Sequence, residues 1–273
     1  MPFLLLVGLA VALPASAGAT TTTHYYVALG DSLSQGYQPG LGNTKVGYVD
    51  DVYTALHKVD PSLKLEKLGC SGETTTTMIK GGICKYTQGS QLAAAKAFLT
   101  AHKAQVSYVT LDIGANDVDS CVPGGQVDIT CVGKGLKAIG TNIETILNTV
   151  IKADGGKPRM AAMPYYDPFL AAYLTPGGQE LATLSVSLIN TLNNELRASF
   201  HAHHVRVAPV ATAFQTHDFK DTVTLPGVGS VPRNVGLICQ YTYMCTQQNI
   251  HANPAGYQFI ADQFIPQLIP AKG

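Results

Sequence analysis

The stretch Tyr25-Tyr26-Val27-Ala28-Leu29-Gly30-Asp31-Ser32-Leu33 decides the reading of the chain. Its five leading apolar residues suit a short buried strand. Gly30 and Asp31 end the run and leave a serine hydroxyl just past its carboxyl end. In parallel α/β sheets, ligands collect at the carboxyl ends of the strands. Ser32 therefore stands where a nucleophile is useful. A serine needs a base for its proton and donors for the oxyanion it creates. Without them, Ser32 would be only a cap of a helix or turn.

Outward from this stretch, strands and helices alternate. Tyr48 to Val59 has Val49, Val52, Tyr53, Leu56 and Val59 at helical spacing. Leu63 to Leu68 reads as a strand, followed by Gly69-Cys70-Ser71-Gly72-Glu73-Thr74. Gln91 to His102 reads as a helix capped by Ser90, and Val106 to Ile113 as a β-branched strand ending at Gly114-Ala115-Asn116-Asp117. Helices are expected from Leu136 to Ile151, and from Leu181 to Phe200 through Leu184, Leu188, Leu192 and Leu196. Arg159 to Met163 and Val205 to Val210 complete about five strands. Ala211 to Ile250 reads as a long ordered loop. The last helix starts at Asn253-Pro254, a cap followed by proline at the first helical position. The alternation implies a parallel sheet with helices on both faces.

Composition narrows the class. The 273 residues are 46% hydrophobic, enough for a large core. Lys+Arg and Asp+Glu number 18 each, and no basic arm stands out, so nucleic acid is not an expected partner. Phe3 to Leu13, then Pro14 and Ala15-Ser16-Ala17, reads as a secretory leader with a small-residue cleavage site. It lacks the usual Lys or Arg near Met1, and it is too short to span a bilayer. The expected organisation is a leader over 1–17 and one domain over 18–273, secreted, without stable membrane insertion, and monomeric. Six cysteines in an exported chain argue for disulfides. Cys70/Cys84, Cys121/Cys131 and Cys239/Cys245 each close a short loop, so sequential pairing is expected. No two cysteines have the close spacing of a zinc knuckle.

Ser32, Gly72 and Asn116 each follow an expected strand, and His251 precedes the last helix. Strand ends share one sheet edge, so the four can converge. His251 can take the Ser32 proton at neutral pH. Asn116 offers a side-chain N–H, and Gly72 a backbone N–H unobstructed by a side chain. With the Ser32 N–H these make an oxyanion hole.

Gly30-Asp31-Ser32-Leu33, Ser71-Gly72-Glu73-Thr74, Gly114-Ala115-Asn116-Asp117 and His251-Ala252-Asn253-Pro254-Ala255-Gly256-Tyr257 resemble the four blocks of the SGNH (GDSL) hydrolases, in the family's order. The exported, cysteine-rich form most resembles the secreted bacterial GDSL lipases and esterases. The resemblance implies a three-layer flavodoxin-like fold and hydrolysis of small-molecule or lipid esters through an acyl-enzyme. It makes Ser32 the nucleophile, His251 the base, and Gly72 and Asn116 oxyanion donors, with no metal or cofactor.

One position departs. The family usually carries Asp three residues before the histidine, and here it is Gln248. The Gln248 main-chain carbonyl is the expected acceptor of the Nδ1 proton, with Asp218 or Asp221 as alternatives from the same loop. Met163 to Tyr173 is an apolar loop that either lines the acyl or leaving-group pocket or packs on the core. Two other activities fit the pattern, a carbohydrate acetyl esterase and a non-catalytic binding protein on the same fold.

Overall fold

The structure is a computed structural model describing residues 22–122 and 126–269. The expected leader lies outside the described residues. From β1 (His24–Gly30) the chain runs through α1 (Tyr48–Val59), β2 (Leu63–Lys67), α2 (Thr75–Lys80), α3 (Gln91–Ala101) and β3 (Val106–Asp112). The short α4 (Asn116–Asp119), the long α5 (Ile129–Asp154) and β4 (Arg159–Ala162) follow. A 3-10 segment, Pro168–Leu174, leads into α6 (Gln179–Ala202), β5 (Arg206–Val207) and α7 (Val210–Ala213). The chain ends with the hairpin of β6 (Thr222–Leu225) and β7 (Gly229–Pro232), then α8 (Arg233–Tyr241), α9 (Met244–Gln247) and α10 (Pro254–Leu268).

Strands β2-β1-β3-β4-β5 form one sheet, and every pairing is parallel. This is the flavodoxin-like order, with its switch point between β1 and β3. The order also sorts the helices. Crossovers are right-handed, so reversing direction across the sheet changes the face that a helix covers. The step from β1 to β2 goes one way and carries α1. The steps on to β3, β4 and β5 go the other way and carry α3, α5 and α6. Accordingly α1 packs on α10, while α5 packs between α3 and α6.

α5 buries Val132, Ile139, Ile143, Ile146, Leu147 and Val150 along one stripe, and Asp128 caps it by accepting from the Cys131 N–H. α6 departs from the expected leucine stripe: Leu192 and Leu196 are buried, but Leu184 is exposed. Three steps of four residues rotate about 120° around a helix of 3.6 residues per turn, which turns Leu184 out of the core. Ala182, Ser185 and Val186 are buried instead. The strand expected from Val205 to Val210 pairs only over Arg206–Val207. Pro209 has no N–H to continue the ladder, and Val210 already opens α7. The loop expected over 211–250 folds into a hairpin and three short helices. At the last helix, Asn253 caps by accepting from the Gly256 N–H, and Pro254 occupies the first helical position.

The cysteines pair Cys70–Cys84, Cys121–Cys131 and Cys239–Cys245. The first ties down the loop before α2, the second joins the end of α4 to the start of α5, and the third joins α8 to α9.

Packing is close where β1 ends. Gly30 pairs in register with Asp112 of β3 and has φ +142°. A Cβ there would sit 2.3 Å from the Asp112 carbonyl oxygen. Gln91 clasps the same peptide, with Oε1 accepting the Gly30 N–H at 2.7 Å and Nε2 donating to the Gly30 carbonyl at 2.9 Å. Gly30→Ala should therefore cost about 3 kcal/mol or more, from overpacking and strain together. Gly40 also has positive φ but nothing within 4 Å of a Cβ, so Gly40→Ala should cost about 1 kcal/mol. Urea unfolding of the two variants checks the difference.

Candidate active site

Ser32 and His251 are 219 residues apart in sequence, and their Oγ and Nε2 atoms are 2.8 Å apart. The turn bearing Ser32 is built by Asp31. Its Oδ1 accepts the Leu33 N–H at 2.9 Å, its carbonyl accepts the Ser34 hydroxyl at 2.7 Å, and its Oδ2 accepts the Tyr165 hydroxyl at 2.7 Å. Its own N–H donates to the Asp112 carbonyl at 3.1 Å. The Asp112 carboxyl in turn accepts the Tyr48 hydroxyl. Both carboxyls are buried. Burial, with the neighbouring Asp31 charge second, pushes Asp112 well above the usual carboxylate range. The pair therefore keeps a proton that an exposed aspartate would lose.

His251 is fixed from several sides. Its carbonyl accepts the Tyr243 N–H at 2.9 Å, and Thr242 bridges to Ala252. The Tyr166 hydroxyl donates to the Ile250 carbonyl at 2.7 Å. The imidazole lies against Tyr37, with ring centroids 4.4 Å apart. Nδ1 does not meet the Gln248 carbonyl, which corrects the expectation from sequence. Gln248 ends α9 in the left-handed region at φ +51°, and the next side chain turns back to the ring. Asn249 Oδ1 lies 2.8 Å from Nδ1 and also accepts the His251 N–H at 3.1 Å. Asp218 uses Oδ1 locally, accepting the Lys220 and Asp221 N–H groups, and Asp221 is exposed. Burial pushes the His251 pKa down to about 4.

Gly72 comes from the loop after β2, and Asn116 opens α4 just after β3. Gly72 has φ +84° and open space where a Cβ would stand. Among the described residues, no acceptor meets the backbone N–H of Ser32 or Gly72. Asn116 Nδ2 donates one hydrogen to the Glu73 carbonyl at 2.9 Å, which orients the amide and leaves its second hydrogen free of that bond. The two segments are also tied by Asp117, whose carboxylate accepts the Thr75 N–H and hydroxyl, each at 2.7 Å. Gln91 Nε2 reaches Glu73 Oε2 at 3.1 Å, so one glutamine joins the Gly72 loop to the Ser32 turn.

Beside Ser32 and His251 opens an apolar cavity with about 910 Å³ of space free of atoms, solvent at its mouth included. Val118, Val132, Leu136, Leu188, Ile189 and Leu192 line it from α4, α5 and α6. The loop after β4 serves both ends proposed for it: Tyr165 to Phe169 line the cavity, while Met163 and Leu170 belong to the core. Asp167 lines the wall but is satisfied, accepting the Ser185 hydroxyl at 2.7 Å and the Phe169 N–H at 3.0 Å. Among the described residues no group of three His, Cys, Asp or Glu could hold a metal ion, and His203 pairs with Glu144 at 2.7 Å. No helix among them is long and apolar enough to cross a membrane.

A serine–histidine contact at the switch point of a parallel sheet, beside backbone N–H groups without acceptors and an apolar cavity, is an arrangement able to support nucleophilic chemistry on an apolar substrate. Residues 28–259 match the model of the GDSL-like lipase/acylhydrolase family, and the chain belongs to that family of carboxylic ester hydrolases. Solved structures share the fold. A phospholipase A1 from Streptomyces albidoflavus and an extracellular lipase from Streptomyces rimosus each match with TM-score 0.53 and 17% identity, over 90% of this chain and 98% of theirs. An acetyl xylan esterase matches with TM-score 0.54 and 15% identity, over 90% of this chain and all of its own. No curated protein matches by sequence.

The buried acids make stability pH-dependent. Burial pushes Asp167 up to about 7. A carboxyl raised in the folded state contributes stability that is fully present below its unfolded pKa, near 4, and is lost as pH rises through the folded value. Stability should therefore fall between about pH 4 and pH 7. Asp167→Asn should remove a slope of up to about 1.4 kcal/mol per pH unit from that window, read from urea midpoints at each pH.

Proposed function

We propose that the chain is a secreted lipase or esterase that cleaves carboxylic esters through a covalent acyl-enzyme, with Ser32 as nucleophile and His251 as base. The observation that carries the reading is the 2.8 Å contact between Ser32 Oγ and His251 Nε2 at the mouth of the apolar cavity. Ser32 Oγ attacks the ester carbonyl carbon while its proton passes to Nε2. The carbonyl oxygen becomes an oxyanion and is held by the N–H groups of Ser32 and Gly72 and by Asn116 Nδ2. The imidazolium then protonates the departing alkoxide. Water repeats the sequence on the acyl-enzyme, which releases the acid and restores the serine. No metal or cofactor enters these steps.

The width of apolar wall on α4, α5 and α6 supports an acyl chain longer than acetyl. Fold likeness does not separate the choices, because the phospholipase, lipase and acetyl xylan esterase structures match equally well. Three disulfides support export to an oxidising compartment. The proposed organisation is a leader over 1–17 and a single domain over 18–273, acting as a monomer; export is the part of it that the disulfides support.

An alkyl phosphonate probe should label Ser32 alone, located by peptide mapping. Ser32→Ala and His251→Ala should each lower kcat by at least about 10³-fold. In a p-nitrophenyl ester series kcat/KM should rise from acetyl to medium chains. A maximum at acetyl would favour the carbohydrate esterase, and absence of turnover on every ester the binding protein. EDTA should leave the rates unchanged.

A further inference from the structure

We propose that Asn249 is the positioning residue of His251, its side-chain oxygen receiving the Nδ1 proton in place of the missing carboxylate. The inference rests on the Ser32–His251 reading above and deepens it.

The geometry fixes both the amide and the imidazole. An asparagine amide can be turned either way, so its oxygen must be identified by its partners. The His251 backbone N–H can only donate, and it meets the same Asn249 atom at 3.1 Å that lies 2.8 Å from Nδ1. That atom must therefore be the oxygen. Nδ1 must then carry the proton, which leaves Nε2 bare and facing the Ser32 hydroxyl at 2.8 Å. A main-chain hydrogen bond thus selects the tautomer that base catalysis needs. The loop that presents Asn249 is braced by the Cys239–Cys245 bridge and by the Tyr166 hydroxyl on Ile250.

An amide oxygen orients the ring but brings no charge. Tyr37 lies against the ring, Tyr166 and Tyr243 bond the backbone beside it, and three acids line the cavity on which His251 opens: Asp31 under Ser32, and Asp119 and Asp167 on its wall. Burial raises all three acids, Asp119 and Asp167 to about 7. In mildly acid solution Asp119 and Asp167 therefore offer little counter-charge, and burial decides the imidazole. His251 then remains neutral, and able to act as a base, below the pH at which a carboxylate-paired histidine would already be charged.

The test is kcat and KM from pH 4 to 9 on p-nitrophenyl butyrate, with product quantified chromatographically, for the wild type, Asn249→Ala, Asn249→Asp, Gln248→Ala, Ser32→Ala and His251→Ala. Wild type should keep its activity down to about pH 5. Asn249→Asp puts a charge on Nδ1 and should move the acid limb of kcat/KM up by about one to three pH units. Asn249→Ala should lose about 10- to 100-fold in kcat with KM within about twofold. Gln248→Ala should match wild type. Wild-type kcat in Asn249→Ala, or an unmoved acid limb in Asn249→Asp, overturns the proposal. If circular dichroism shows Asn249→Ala unfolded, the Asn249→Asp profile decides. Activity surviving in Ser32→Ala or His251→Ala would instead overturn the catalytic reading on which the proposal rests.

Discussion

The pairing of β1 with β3 is the constraint on which the site depends. It sets Gly30 against Asp112 with no room for a side chain, so the turn carrying Ser32 and the segment carrying Asn116 leave adjacent strand ends at a fixed distance. Gln91 then locks the Gly30 peptide and reaches across to Glu73. Because the Glu73 carbonyl orients Asn116, the Ser32 turn and the segments bearing Gly72 and Asn116 belong to one hydrogen-bonded body. Close packing at Gly30 thus constrains the spacing of the Ser32 turn from Asn116, the kind of spacing on which joint action in a site depends.

Charge is handled here by burial rather than by pairing. Asp31, Asp112 and Asp167 all sit inside the protein, and none has a cationic partner among the described residues. They are stabilised by hydroxyls and main-chain N–H groups, and by staying protonated beyond the usual range. The histidine follows the same rule with the opposite sign: burial favours its neutral form.

Most of the fold was legible because its signals are local. The apolar run ending at Ser32 and the β-branched run at Val106 both read as strands, and both are. The periodic stripe of α5 and the Asn253-Pro254 start of α10 were equally plain. The misses share a cause, since they depend on partners remote in sequence or on small angular drift. Strand β5 lost its second half to Pro209, and Leu184 rotated out of a stripe that four-residue spacing made look continuous. At the site, the order of blocks brought Ser32, Gly72, Asn116 and His251 to notice. Gln91 could not be found that way, because a glutamine in a helical first turn resembles any good helix former, and its target lies 61 residues earlier. Asn249 was invisible for a different reason: only the left-handed residue before it turns its amide onto the imidazole.

The three disulfides link cysteines 14, 10 and 6 residues apart, in the order in which they occur. A polypeptide threaded out of a membrane channel from its amino end would present each partner soon after the first, before the next pair emerged. Every crossing would then be correct by order of arrival, and none of the fourteen alternative pairings of six thiols would need to be undone. Sequential spacing of this kind lets each pair close before the thiols of the next are exposed.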